Sequence, residues 1–376
     1  MFNQPDDNDA RTQLRDSVAS FVRKETQTAG ARAATSIDMN RWRQMASLGW
    51  IGMQLPEETG GLGLGAGDMV AMHQELGRGA LTQPLIPVAI LAARPIALGG
   101  NADLQQRLLP GLLGGEVMGT LAWQKAAGCI TADQVGPRTS ASGTGWTLDG
   151  QAVFVPIAAQ ADGLVVAATS PDGVMLFWLD GPEGLAIEQA TLADGSLIGR
   201  TVRFDGVRVE RANLVADADV ASGLLADVLD TASLAACGEL LGAMEQMLQM
   251  TIAYMNQRVQ FGKPIGSFQA LQHKAVDVYV QIELARSVLS QAVTVCERDA
   301  TARERAAVVA RAKSRCSDAG MFTVKQCIQM HGAIAYTEEY ALSRFIRRVI
   351  TLASSHGTAA AQRKRYAALE LDFAEG

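Results

Sequence analysis

The chain has 376 residues, 48% of them hydrophobic and 19% charged, the composition of a folded globular protein long enough for two or three cores. Its net charge of −6 and pI near 5.4 argue against nucleic-acid binding, which depends on clustered Lys and Arg. No apolar run reaches the roughly 18–20 residues of a bilayer span, and the opening stretch from Met1 to Asp7 lacks the basic and apolar regions of a signal peptide. The five cysteines are odd in number and show no CxxC spacing, so reduced thiols in a cytoplasmic protein are expected and no metal site is.

From residue 8 to about 118 the pattern is helical. Leu14, Val18, Phe21 and Val22 form one apolar stripe at helical spacing, and Trp42, Met45 and Leu48 form another. Pro56, Pro84, Pro87, Pro95 and Pro110 are read as marking helix ends. The run Gly60-Gly61-Leu62-Gly63-Leu64-Gly65-Ala66-Gly67 invites a dinucleotide-binding reading. That fingerprint needs a preceding strand and a βαβ unit, and neither is evident here. A flexible connection between helices is expected instead.

The character changes between about 119 and 213. Short alternating segments are separated by Asp-Gly pairs at 149–150, 172–173, 180–181, 194–195 and 205–206. Such pairs supply the positive φ of tight hairpin turns, so an antiparallel β domain is predicted. From about 220 the helical period returns. Phe268, Leu271, Ala275, Val278, Ile282, Ala285 and Leu289 predict a long helix with one buried stripe, suited to a bundle.

Several motifs in this last third point to a known family. They are Arg258-Val259-Gln260-Phe261-Gly262 running on to Phe268-Gln269, Gln329-Met330-His331-Gly332, Phe345-Ile346-Arg347-Arg348, and His356-Gly357-Thr358. Together they resemble the C-terminal domain of the acyl-CoA dehydrogenases. Leu48-Gly49-Trp50-Ile51-Gly52, Leu55-Pro56-Glu57-Glu58 and Glu75-Leu76-Gly77-Arg78 are similar to that family's N-terminal region. The resemblance implies an α+β fold of three parts: an N-terminal helical domain (1–118), a middle antiparallel β domain (119–215) and a C-terminal four-helix bundle (216–376). It also implies FAD as cofactor and an acyl-CoA as substrate. Arg258 matches the family residue that holds the FAD pyrophosphate across a subunit boundary, where its multi-donor fork suits a phosphate. Gln269 and Gln329 match side chains near the adenosine end, Gly332 allows close backbone approach, and Gln260, Phe261 and Thr358 complete the matched set.

The departures from the family are as informative. The residue before Gly-Thr is often the glutamate that removes the substrate α-proton, and here it is His356, with no carboxylate beside it to orient an imidazole. Some relatives place the glutamate at the position matching Ala232, within the acid-free run Ala232 to Cys237. Asp230 and Glu239 are displaced from it around and along the helix. The flavin-cradling segments are also altered, at Trp123 to Ile130 and at Phe154 to Ala158, where Pro156 has no backbone N–H to donate. The implied function is a subunit of a heteromeric acyl-CoA dehydrogenase, similar to the small subunits of the pimeloyl-CoA and steroid side-chain types. Such a subunit forms 2,3-enoyl-CoA only beside a homologous, glutamate-bearing partner in a two-plus-two assembly, with an electron-transferring flavoprotein as acceptor by analogy. Open alternatives are a self-sufficient homo-oligomer using Asp230, Glu239 or His356 as base, a flavin monooxygenase or oxidase of the same fold, and a cofactor-free scaffold.

Overall fold

The structure, a computed structural model, describes residues 5–28 and 37–371. Met1 to Gln4, part of the stretch read for a signal peptide, lie outside them. The chain gathers into two compact units, one of residues 1–33, 65–81 and 233–376, the other of residues 34–64 and 82–232.

The second unit carries the sheet. Its helices are α2 (Met39–Ser47), α4 (Arg94–Leu98), entered from a π-helical segment at Ile86–Ala93, and α5 (Ala102–Leu113); α1 (Pro5–Thr28) and α3 (Ala66–Gly79) belong to the other unit. Asp38 caps α2 by accepting from the Asn40 and Arg41 N–H groups, and Asn101 caps α5 through the Leu104 N–H, as short polar residues do at helix starts. Pro87 and Pro95 stand in first turns, but Pro110 lies inside α5. Having no N–H, it forfeits one helical hydrogen bond in the last turns of α5, which ends at Leu113.

The glycine run is packed rather than loose. Leu62, Gly63 and Leu64 donate their N–H groups to Gly52, Leu55 and Met53, and a Cβ on Gly61 would stand 2.1 Å from the Leu55 carbonyl oxygen. Only glycine permits that approach.

Strands β1 (Gly119–Ala122), β2 (Arg138–Ser142), β3 (Gly145–Pro156), β4 (Gly163–Ser170), β5 (Gly173–Asp180), β6 (Ala186–Thr191), β7 (Leu197–Val209) and β8 (Leu214–Ala216) form one sheet in the order β6-β7-β3-β2-β4-β5-β8, with β1 beside β4. Hairpin-linked strands are antiparallel as predicted, whereas β1 and a single residue of β2 pair with β4 in parallel. Strand β1 enters from a helical stretch instead of a hairpin, so nothing forces it to reverse. Three of the five Asp-Gly pairs are not hairpin turns: Asp180-Gly181 leads from β5 to β6, strands that do not pair with each other. Asp149-Gly150 and Asp205-Gly206 lie within β3 and β7, where the register slips between Leu148 and Gly150. Asp149 Oδ1 accepts the Gly206 N–H at 2.9 Å, so this is a bulge closed by a side chain.

Helix α6 (Ala218–Gln257) passes from this unit into the first. By length and composition it is apolar enough to cross a membrane, a property that no uninterrupted apolar run in the sequence announces, and most of its apolar window is buried in the fold. The first unit adds α1, α3, the hairpin β9 (Val259–Gln260) and β10 (Lys263–Pro264), α7 (Gln269–Cys296), α8 (Ala302–His331), α9 (Leu342–Ser354) and α10 (Ala359–Leu371). The predicted stripe is the buried face of α7, with Val278, Ile282, Ala285 and Leu289 inside. Thr301 and Glu304 form a capping box at the start of α8. Helices α3 and α6 meet through glycines: a Cβ on Gly242 would stand 1.8 Å from the Gln74 carbonyl oxygen, and one on Gly77 2.1 Å from that of Glu239.

Candidate functional site

Arg258 directly follows α6, and its backbone carbonyl accepts the Ile265 N–H at 2.8 Å, closing the β9–β10 hairpin onto the helix end. At the tip Phe261 and Gly262 both have positive φ, 54° and 78°, the two left-handed positions of a tight hairpin turn. Phe261 is 91% exposed. Its ring stands edge-on to that of Phe268, with centroids 6.1 Å apart.

The end of α8 comes to the same place. Tyr254, one turn before Arg258, stacks on His331 with ring centroids 4.4 Å apart, and its hydroxyl donates to the His331 carbonyl. Tyr340 closes the cluster 5.4 Å from His331. His331 Nδ1 donates to the Cys327 carbonyl at 2.9 Å, which leaves Nε2 as a bare acceptor. That atom is buried without a partner among the described residues. Burial holds the ring below the ordinary histidine range, outweighing the Cys327 bond, so the ring is neutral near pH 7.

Gly332 follows, with φ 70° and ψ −149°, a region open essentially to glycine alone. A Cβ there would meet nothing within 4 Å, so the need for glycine lies in the backbone conformation. Gln329, Gly332, Gln269, Gln260, Phe261 and Arg258 are all exposed, which leaves the Arg258 guanidinium accessible from outside the chain. An accessible multi-donor fork, a glycine-only backbone and an orphaned buried acceptor fit the adenosine-diphosphate half of FAD. Tyr254 and His331 were missed as organisers of this end. Their signal, an aromatic one turn before the Arg258 motif and a histidine inside Gln329–Gly332, was present in the sequence.

The 356 position is also formed. After α9 the chain turns through His356 and Gly357, both left-handed at φ 53° and 93°, and Thr358 starts α10 by accepting the Ala361 N–H. Thr358 is exposed, and the buried Gln362 donates to the His356 carbonyl at 2.7 Å. His356 is held down to about 4, first by burial and then by the Lys313 ammonium, with Glu239 opposing and Arg348 adding.

Glu239, weighed above as a displaced base, is fully engaged. His73 Nδ1 lies 3.0 Å from one carboxylate oxygen, and Arg348 donates through Nε at 3.1 Å and through Nη2 to the other. Burial raises its pKa, but Arg348 and His73 together outweigh burial and leave it lowered. It is an ionised structural anion. Ala232 is fully buried.

In the sheet unit the altered segments are self-contained. Gln124 Nε2 donates to the Cys129 carbonyl, and Gln134 Oε1 accepts from the Ile130 and Thr131 N–H groups. Around Pro156 the backbone is strained, with Phe154 at φ 54° and Ile157 at φ 45°, values that bulky and β-branched residues rarely adopt.

A helical frame interrupted by one sheet, with an Arg-Phe-Gly hairpin set against a Gln-His-Gly helix end, defines a flavoenzyme of the acyl-CoA-oxidising class. Comparison with known proteins agrees. Residues 8–116 match the acyl-CoA dehydrogenase N-terminal domain, and residues 223–369 match the acyl-CoA dehydrogenase C-terminal domain. The chain is 30% identical over 354 residues to the acyl-CoA dehydrogenase IpdE2 of Mycobacterium tuberculosis, covering 93% of this chain and 92% of that protein. Among solved structures it is similar to a variant of the Tcur3481–Tcur3483 steroid ACAD, at 30% identity and TM-score 0.84 over 98% of this chain and 99% of that one. It is also similar to the ChsE4–ChsE5 complex from Mycobacterium tuberculosis, at 25% identity and TM-score 0.84 over 100% and 99%. The chain belongs to the acyl-CoA dehydrogenase family, whose members are oxidoreductases.

Proposed function

We propose that this chain is the half-site subunit of a heteromeric, FAD-dependent acyl-CoA dehydrogenase, completing with its own residues the cofactor site of a glutamate-bearing homologue. When bound, FAD supplies the hydride acceptor for oxidation of an acyl-CoA to its 2,3-enoyl-CoA. The observation that carries the proposal is the exposure of Arg258, Gln260, Phe261, Gln269, Gln329, Gly332 and Thr358 together, with a phenyl ring 91% exposed on a left-handed residue. A solvated surface gains nothing from such a ring in such a backbone; a contact outside the chain does. Arg258 binds the pyrophosphate by charge-assisted hydrogen bonds, Gln269 and Gln329 hold the adenosine end, and Gly332 brings main chain against it.

The proton-abstracting carboxylate comes from the partner. Glu239 is already bound by Arg348 and His73, and a neutral His356 that titrates at about 4 is a weak base at physiological pH. The polar groups of Gln124 and Gln134 serve their own loop, in keeping with a flavin ring seated mainly in the other subunit. Support also comes from the two similar structures, each of which pairs two differently named chains. Similarity to a steroid ACAD supports a bulky acyl group such as a steroid side chain; the run from Ala232 to Cys237 is packed inside the fold. A cytoplasmic location and an electron-transferring flavoprotein as acceptor go with this assignment.

The test is co-expression with a glutamate-bearing homologue. The expected product is a yellow two-plus-two complex with one FAD per two polypeptides, while the chain alone purifies colourless and inactive. A chain that purifies alone, yellow and with full turnover, would overturn the proposal and favour a self-sufficient enzyme.

A further inference from the structure

Lys313, midway along α8, is fully buried, yet among the described residues no carboxylate pairs with it. Its Nζ donates to the carbonyls of Leu352 at 3.1 Å, Ala353 at 3.4 Å and Gly357 at 3.1 Å, and to Ser317 Oγ at 2.9 Å. Leu352 and Ala353 lie in the last turn of α9, where carbonyls lack helical partners and the helix dipole favours a cation. Gly357 lies beyond that helix, in the turn that leads to α10. One buried charge therefore ties the end of a helix to the turn that follows it.

We infer that Lys313 is the positioning residue of the 356 position: its ammonium fixes the turn between α9 and α10 and, at neutral pH, sets a positive charge beside whatever side chain stands there. The arrangement is costly for a merely structural lysine, because a buried ion without a counter-ion is tolerated only when its hydrogen bonds are satisfied. The neighbouring Cys316 thiol does not neutralise it. Cys316 is pushed well above the ordinary thiol range, first by its hydrogen bond with Cys237 and then by burial, and so stays protonated. The charged groups that His356 feels are Lys313 from α8, Glu239 from α6 and Arg348 from α9. Glu239 and Arg348 offset one another as a pair, so the Lys313 charge is the one left over. A carboxylate at 356 would be held ionised by it, and the imidazole present is kept neutral. The inference concerns this chain alone and does not depend on how it assembles.

The experiment is a histidine titration by NMR on the full chain, following ring Cε1–H signals, with the His356 signal identified by its loss in His356→Asn. In Lys313→Met the His356 midpoint should rise by about one pH unit as the neighbouring charge disappears. Amide exchange at residues 355–358 should quicken roughly tenfold once the turn loses its anchor. Lys313→Arg, which keeps the charge, should hold the wild-type midpoint. An unchanged midpoint and unchanged exchange in Lys313→Met would overturn the inference, as would Lys313→Arg behaving like Lys313→Met. If Lys313→Met does not fold, the wild-type chain still decides. Lys313 loses its proton at about 8, so the His356 ring signal should show an inflection there, and a flat signal between pH 7 and 9 would refute the assignment.

Discussion

Arg348 donates through Nε to Glu239 at 3.1 Å, and both side chains are buried. His73 engages the other carboxylate oxygen, so a single anion joins α3, α6 and α9. The pair feels its partners more than solvent, and the loss of one leaves a charge stranded. Glu239→Ala should therefore destabilise the chain by about 3–5 kcal/mol, as removal of one member of a buried ion pair does, measured by urea unfolding. A catalytic role would instead predict intact stability with lost turnover in the assembled enzyme.

Acid should weaken the fold in two separate steps. His356 titrates at about 4 in the folded chain and near 6.5 when unfolded. Between these values the unfolded chain binds more protons, so stability falls as pH is lowered from 6.5 to 4. Glu239 has a lowered pKa, so its contribution is lost only below the ordinary carboxylate value, as pH falls through the folded one. His356→Asn should remove the first step and leave the second, read from urea midpoints across pH 3–8.

Alkali should act in the other direction on Lys313. Its pKa is about 8 folded against 10.5 unfolded, because burial disfavours the charge. The unfolded chain binds more protons across that interval, so Lys313 adds stability as pH rises from 8 to 10.5, by on the order of 3 kcal/mol. The stability difference between wild type and Lys313→Met should change by that amount between pH 7.5 and pH 10.5.

Phe261→Asn should separate folding from assembly. Asparagine accepts a left-handed φ more readily than phenylalanine, and the ring lost is 91% exposed. The isolated chain should be no less stable, since asparagine adopts the left-handed φ at lower cost, while the co-expressed complex should retain less FAD after gel filtration. A variant that leaves flavin content unchanged would remove Phe261 from the site.

Arg258→Ala should lower flavin retention in the complex by about 2–5 kcal/mol, the cost of leaving a partly buried phosphate charge unpaired. Thermal unfolding of the chain alone should stay the same, because the guanidinium sits on the surface. A complex with full flavin would favour the scaffold reading.

Much of the fold was legible because it rests on period. The stripe from Leu271 to Leu289 gave α7, and the Asp-Gly pairs gave the sheet. What misled was identical local chemistry in two settings. Asp149-Gly150 and Asp172-Gly173 read alike, but only the second closes a hairpin; the first is a bulge fixed by the Gly206 N–H across the sheet, a partner that no local window contains. The glycine run from 60 was read as loose for the same reason, since the Leu55 carbonyl that demands Gly61 is visible only in three dimensions. In the site, Arg258, Gln329 and Gly332 stood out as motif. Lys313 did not: one lysine on a long helix looks solvated until its buried acceptors are known. The engagement of Glu239 likewise required His73, from 166 residues earlier in the chain.

The helical unit takes α3 from the first quarter of the sequence, and α3 fits against α6 with no room for a single methyl at Gly77 or Gly242. A truncation that begins at residue 216 would strip that helix away, leaving a bare apolar groove along α6 and Glu239 with Arg348 alone. The C-terminal two-fifths should then aggregate when expressed alone. Supplied in trans, a fragment ending near residue 81 should rescue its solubility by filling the groove.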